Sequence, residues 1–309
     1  MPPADAQSPR FRALVLGSAG GGGVPQWNCF CPVCRLAWAG DSRVKPRTQS
    51  SLAVSLDGAN WLLLNASIDL RQQILATPAL QPKAAGRSSP IAAVLLTNSD
   101  VDHAAGLLAL RERQPLAIWG TRSTLDAIGA NKVFDVVSPD VAPRRSARLG
   151  ERYEPLPGLR IELFPVPGKT PLWLEEGAVK TDEIGEGTVG VSVEAAGRRL
   201  VYAPGCAGAT PELHARVAAA DVLFFDGTLF VDDEMIRAGL GDKTGRRMGH
   251  MPVSGPGGTL ESLMRHTRVR RILTHINNSN PILVEGSPEE AQVKAAGWEV
   301  AYDGMEVAP

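Results

Sequence analysis

Apolar and polar positions along this chain fall into short blocks separated by glycine, proline and small polar residues. Residues 11–17 are an apolar run that predicts a strand leading into a glycine run, Gly20 to Gly23. Residues 51–56 and 61–64 read as strands either side of Asp57-Gly58, a hairpin signal. Ser67 and then residues 69–75 predict a capped helix with Leu70 and Ile74 on one face. Residues 91–97 predict a buried strand, followed by the polar loop NSDVDH and a helix through Leu107, Leu108 and Leu110. A strand over 116–120 and a helix over 121–128 follow. Residues 159–166 alternate as a half-buried strand does, and 189–195 with 198–203 bracket Ala196-Gly197 as a second hairpin. A helix over 211–219 precedes an apolar strand, 222–225, that ends at Asp226. Residues 227–258 read as a long loop with a little helix, a length that usually signals function or disorder. Residues 260–266 read as helix, 271–274 as a strand ending at His275, and 298–302 as a closing strand. Hairpins mixed with strand–helix alternation predict an α/β fold of sheets packed together with helices outside.

Composition narrows the function classes. The 309 residues carry 32 Lys+Arg against 33 Asp+Glu, so a strongly basic nucleic-acid binder or a polybasic membrane-surface protein is not expected. Aromatic residues make up 5%, too few for a base-stacking platform, while 44% hydrophobic residues suit a globular chain. Length permits one large domain, and a single domain over 1–309 is expected. The start, MPPADAQSPRFRALVLG, lacks the build of a secretory signal, and no window approaches the ~18 apolar residues of a membrane span.

Three of the four cysteines, Cys29, Cys31 and Cys34, crowd into CFCPVC on a loop at 27–35. A disulfide framework would spread them; a metal clip clusters them, and three thiolates fill three corners of a zinc tetrahedron. A reducing, cytoplasmic location is expected. Cys206 reads as a small buried hydrophobe.

Three apolar runs end in groups of metal-ligand type: Thr97 leads into Asn98, Asp100, Asp102 and His103; Phe225 into Asp226; Thr274 into His275. Ligands at strand ends sit on rigid supports that converge at one sheet edge. Two imidazoles and a carboxylate with open positions suit non-heme iron(II) and O2, and the same set could hold a zinc that activates water. Asp102 could instead merely cap a helix. His250 is a candidate for orienting a ligand or touching substrate. His214 and His266 read as surface residues on helices, and Lys169 as a solvated loop charge unless it meets an anion. The glycine run lacks a following helix and is interrupted by Pro25, Trp27 and the cysteines, so a dinucleotide site is not expected.

TNSDVDHAAGL resembles the metal-binding loop THxHxDHxxG of metallo-β-lactamase-fold proteins. GGGVPQWNCFCPVC, RTQSSLAVS, VPGKTP, VYAPGC, KTGRRMGHMPVSGPGG, HINNSNPIL and VAYDGMEV are similar to the coenzyme PQQ (pyrroloquinoline quinone) biosynthesis protein B family, over almost the whole chain. The resemblance implies the αββα sandwich of that superfamily, two mixed β-sheets flanked by helices. Asn98 and Asp100 stand where the general pattern has two histidines, Lys169 near its next one, and Gly205 or Cys206 at its metal-bridging aspartate. One metal is therefore expected at Asp102, His103 and His275. The implied activity is an iron-dependent oxygenase that hydroxylates the tyrosine ring of a carboxylate-rich Glu–Tyr-derived precursor, with O2 as co-substrate. In that reading Fe(II) sits at the active site, Lys169 and Arg246 or Arg247 bind carboxylates, His250 moves protons and Asp226 fixes a ligand. The resemblance also implies structural zinc at Cys29, Cys31 and Cys34, with Asn278 or water as fourth ligand. A mononuclear zinc hydrolase and a soluble carrier transporting the quinone or its precursor are the rival functions. A homodimer is possible; nucleic-acid and membrane partners are not expected.

Overall fold

Alternation along the strands sorts the apolar side chains into three layers. The computed structural model describes residues 10–175 and 180–309; the N-terminal nine residues, on which part of the leader expectation rests, lie outside them. The strands are β1 (Arg12–Gly17), β2 (Ser51–Ser55), β3 (Trp61–Leu64), β4 (Ile91–Leu95), β5 (Ala117–Gly120) and β6 (Arg144–Ser146). Then come β7 (Arg152–Leu156), β8 (Leu159–Pro165), β9 (Val189–Ala195), β10 (Arg198–Ala203), β11 (Val222–Asp226), β12 (Arg270–Thr274), β13 (Trp298–Val300) and β14 (Glu306–Val307). They form two seven-stranded sheets, ordered β14-β1-β2-β3-β4-β5-β6 and β13-β12-β11-β10-β9-β8-β7. Both are mixed: β3 to β6 and β10 to β13 run parallel, the remaining pairs antiparallel.

The inner faces meet through Ala13, Val15, Leu62 and Leu64 against Val191, Val193, Leu200, Phe224 and Ile272. The helices are α1 (Pro32–Trp38), α2 (Leu70–Ala76), α3 (Val101–Ala104), α4 (Arg122–Gly129), α5 (Pro211–Ala218), α6 (Glu234–Arg237), α7 (Thr259–Ser262) and α8 (Pro288–Ala295). Leu14, Leu63 and Val94 on the outer face of the first sheet pack with Leu70, Leu125 and Ile128. Val201, Leu223 and Leu273 on the second pack with Leu213, Val217 and Val293. Burial on both faces explains why β3, β4 and β11 read as near-continuous apolar runs. The arrangement is the expected αββα sandwich.

Several local expectations change. The loop at 27–35 ends at Cys31, because Pro32 opens α1, where a missing N–H costs nothing, and Cys31 Sγ accepts from Cys34 N. Asp69 does not cap α2 with its side chain; it accepts from Gln49 N at 2.9 Å instead. The helix through Leu107 is the short α3 followed by 3₁₀ turns. Helix at 260–266 is confined to α7, and the strand at 298–302 stops at Val300, the chain closing with β14 beside β1. The sequence pattern did not anticipate β6, β7 or α8.

Candidate active site

Pairing directions put the carboxyl ends of β1, β3 and β4 at one edge of the first sheet and those of β8, β10, β11 and β12 at one edge of the second, and a parallel bridge between Ala19 and Ile276 joins the ends of β1 and β12. There α3 carries Asp102 and His103, and His275 follows β12. His275 Nε2 lies 3.1 Å from Asp102 Oδ2, and the His103 and His275 rings meet edge to face at 5.2 Å. One ligand atom from each of these three residues falls within 4.8 Å of the others. His275 adopts a left-handed φ of 56°, unusual for a residue with a Cβ. Its neighbours hold it there: Ile276 N donates to Ser18 O and Gly20 N to Ile276 O, both at 2.9 Å. Gly20 must be glycine for the same reason, since a Cβ there would sit 2.8 Å from His275 Nδ1. The first glycine of the run thus serves close packing against an imidazole.

His103 decides whether this cluster suits a metal. Its Nδ1 lies 2.7 Å from Asn98 Oδ1, so that nitrogen is the donor and Nε2 keeps a bare lone pair. His103 Nε2 is buried and has no hydrogen-bond partner among the described residues. An orphaned buried acceptor beside a carboxylate and a second imidazole fits a divalent ion. Asn98, which occupies a histidine position of the general pattern, orients the remaining ligand; it also donates to Asp100 Oδ2 at 3.0 Å.

Charge states agree. Burial pushes His103 down to about 4, keeping it neutral, with Asp102 opposing the shift. Burial would raise Asp102, yet the His103 and His275 imidazoles hold its carboxyl well below the usual range. Burial would likewise lower His275, but its hydrogen bond to Asp102 raises it.

A network behind His275 fixes its orientation. Thr228 Oγ1 donates to Asp226 Oδ1 at 2.6 Å and accepts from His275 Nδ1 at 2.9 Å, leaving Nε2 aimed at Asp102. Asp226 Oδ2 accepts from His250 Nδ1 at 2.6 Å and from Cys206 N at 2.9 Å. Burial alone would raise the Asp226 pKa, but the field of His250 keeps it low. Asp226, His250 and His275 are also close enough to hold an ion, but Asp226 already receives donors on both oxygens. Asp226 therefore reads as a positioning group. His250, stacked on His275 at 5.2 Å, turns its Nε2 to the cavity.

That cavity, about 210 Å³, is lined by Asp100, Asp102, His103, Lys169, Leu172, Glu175, Met235, Lys243, Met248, His250 and His275 among others. Lys169 is not a solvated tip: its Nζ pairs with Glu175 Oε1 at 2.9 Å and its side chain is 14% exposed. Arg247 Nη2 lies 3.7 Å from Glu175 Oε2, whereas Arg246 turns away to Gly257 O. Burial, then the charge of Asp102, raises the pKa of Asp100.

Asn278, three residues beyond His275, reaches the cysteine centre. Cys29, Cys31 and Cys34 bring their sulfurs within 4.8 Å of one another, and Asn278 Nδ2 points at all three, at 3.1, 3.8 and 3.2 Å. Burial pushes Cys31 up to about 12, so a thiolate there needs a compensating cation. Three converging sulfurs suit zinc, although Asn278 presents its amide nitrogen, a donor, rather than its oxygen. Cys206 is buried, as expected. The surface expectation fails for His266, which lies beyond α7, is buried and pairs with His214 at 3.0 Å; neither histidine belongs to a ligand cluster among the described residues.

The β-lactamase superfamily domain model matches residues 60–276. A coenzyme PQQ synthesis protein B of Methylobacterium nodulans is 60% identical over 298 residues, covering 96% of this chain and 99% of that protein. One from Rhizobium meliloti is 52% identical over 297 residues, covering 96% and 97%. The chain belongs to the coenzyme PQQ synthesis protein B family. Within that family, the crystal structure of Zn(2+)-bound PqqB from Methylobacterium extorquens matches with a TM-score of 0.94 and 55% identity, covering 96% of this chain and all of that one. A diphosphatase of the PhnP family shares only the fold, at 18% identity and a TM-score of 0.68 over 97% and 98% of the two chains. Fold and family point to a metal-dependent enzyme, and the zinc-bound relative supports metal binding, zinc in particular.

All of Asp102, His103, His275, His250, Lys169 and Asp226 gather at this edge, as do the four residues of the cysteine centre. Thr228, Lys243 and Glu175 were not anticipated. Thr228 could have been found as the first hydroxyl after a strand-terminal aspartate, two residues from Asp226.

Proposed function

We propose that this chain serves PQQ biosynthesis as an iron-dependent oxygenase that hydroxylates the tyrosine ring of the Glu–Tyr-derived precursor. The observation that carries the reading is the bare, buried Nε2 of His103 beside Asp102 and His275 at the floor of an open cavity. Asp102, His103 and His275 would hold Fe(II), which supplies O2 activation when bound with positions left open. The chain's own groups do the rest. Asn98 fixes the His103 ring, and Asp226 through Thr228 fixes His275. Leu172, Met235 and Met248 offer apolar contact for an aromatic ring and keep water away from it. Lys169 and Arg247 receive carboxylates by charge-assisted hydrogen bonds. His250, with Nδ1 committed to Asp226, can take or give a proton at Nε2 facing the cavity. Zinc at the cysteine centre would pin the loop that carries Asn278.

Anaerobic reconstitution with iron, followed by exposure to labelled O2, should place label from O2 in the product. Label drawn from water alone would overturn the reading. The zinc-bound relative favours a second reading, a zinc hydrolase at the same three ligands; its turnover would persist without O2.

A further inference from the structure

The segment after β8 carries one carboxylate into a ring of cations. Glu175 Oε1 accepts from Lys169 Nζ at 2.9 Å, and Glu175 Oε2 lies 3.7 Å from Arg247 Nη2. Lys243 borders the same cavity. Arg247 Nη1 is buried and has no hydrogen-bond partner among the described residues. Among the described residues, Glu175 is thus the carboxylate that pairs with Lys169 and Arg247, with Lys243 on the same cavity and one Arg247 donor left over. The pairing is close, both Lys169 and Glu175 side chains being under 15% exposed at 14% and 12%. The hydrogen bond from Lys169, and then the fields of Lys169, Lys243 and Arg247, hold the Glu175 carboxyl below its ordinary range against the opposing effect of burial.

Without Glu175 these cations would repel one another, and Lys169, Glu175 and Lys243 line the same cavity as Asp102 and His103. We propose that Glu175 is a resident stand-in for a substrate carboxylate: it neutralises Lys169, Lys243 and Arg247 in the free protein, and an incoming carboxylate displaces it. The inference rests on the reading that this cavity takes a carboxylate-rich precursor, and it adds Glu175 and Lys243 as specificity determinants. An anion regains from the three cations what Glu175 gives up, and Arg247 Nη1 gains a partner. A neutral or cationic ligand cannot make that exchange, so Glu175 sets a threshold against it. The cost is affinity, because the subsite is open only in the fraction of molecules from which Glu175 has withdrawn.

Glutarate is a suitable probe, with the neutral diamide glutaramide as control, titrated calorimetrically into the full-length chain. Glu175→Gln should bind glutarate about tenfold tighter than the parent, with glutaramide unchanged. Adding Lys243→Met to Glu175→Gln should cancel the gain. Equal or weaker glutarate binding by Glu175→Gln, or a gain that survives loss of Lys243, would overturn the proposal. The labelled-oxygen experiment is separate. A tenfold gain without oxygen incorporation removes the oxygenase and keeps the carboxylate exchange; incorporation without the gain does the reverse.

Discussion

Glu234 is a buried carboxyl group whose protonation should be readable in the stability of the whole fold. It sits at the start of α6, accepts from Phe230 N at 2.7 Å and from Ser279 Oγ at 2.5 Å, and so ties that helix to the loop after β12. Burial outweighs these hydrogen bonds and raises its pKa from 4.5 to about 7. The folded chain therefore holds this proton more tightly than the unfolded one. The stabilisation is complete below about pH 4.5 and is lost as pH rises through about 7. With those values, the group stabilises the fold by about 2.5 kcal/mol more at about pH 5 than at about pH 8. Glu234→Gln keeps the shape and a neutral head, its amide donating to Ser279 Oγ and its carbonyl accepting from Phe230 N. Urea unfolding of parent and variant at both pH values isolates the effect, because other titrating groups cancel in the difference between the two chains. Relative to the parent, the variant should gain about 2.5 kcal/mol on going from about pH 5 to about pH 8. A difference constant to within about 0.5 kcal/mol would show that Glu234 ionises normally, and the burial argument would fail.

Other expectations concern the site and the core. Thr228→Val should weaken metal binding at Asp102, His103 and His275 by about 10–100-fold in a chelator competition, with Thr228→Ser restoring most of it. His103→Ala should abolish product formation in the turnover assay while leaving the zinc of the cysteine centre in place by elemental analysis. Cys34→Ser should lower zinc content by about one equivalent per chain and reduce the thermal midpoint, because a closed structural site contributes to folding directly. Gly190→Ala would drive a Cβ into the Phe164 ring between buried strands, and chemical denaturation should show a loss of about 1–3 kcal/mol or more.

The central strands were legible because their sheets are covered on both faces, which makes β4 and β11 apolar runs and leaves an apolar Ile272-Leu273 pair in β12, each leading into chemistry. Asp102, His103, Asp226 and His275 stand out at those ends for the same reason. Helix α1 was hidden because Cys31 is an uncommon cap and the proline of CFCPVC looks like a loop breaker. Helix α8 was present in the sequence: Ser287 and Glu290 have the spacing of a capping box, and Ser287 Oγ does accept from Glu290 N. Strands β6 and β7 carry arginine and glutamate on exposed edges, so no apolar pattern marks them. The work of Asn98 was not legible, since its partner His103 Nδ1 is set by the turn into α3. Lys169, Glu175, Lys243 and Arg247 lie far apart in the chain, and only the tertiary fold brings their charges together.

Only Ile276 and Asn277 separate the imidazole of His275 from the amide that faces the three sulfurs. A stretch so short transmits order: an ion that fixes one end narrows the conformations open to the other. Thermodynamic reciprocity then requires that occupancy of either centre raise affinity at its neighbour by the same factor. Depriving the chain of the ion at its cysteines would thus register as a failure to retain the ion that does the chemistry.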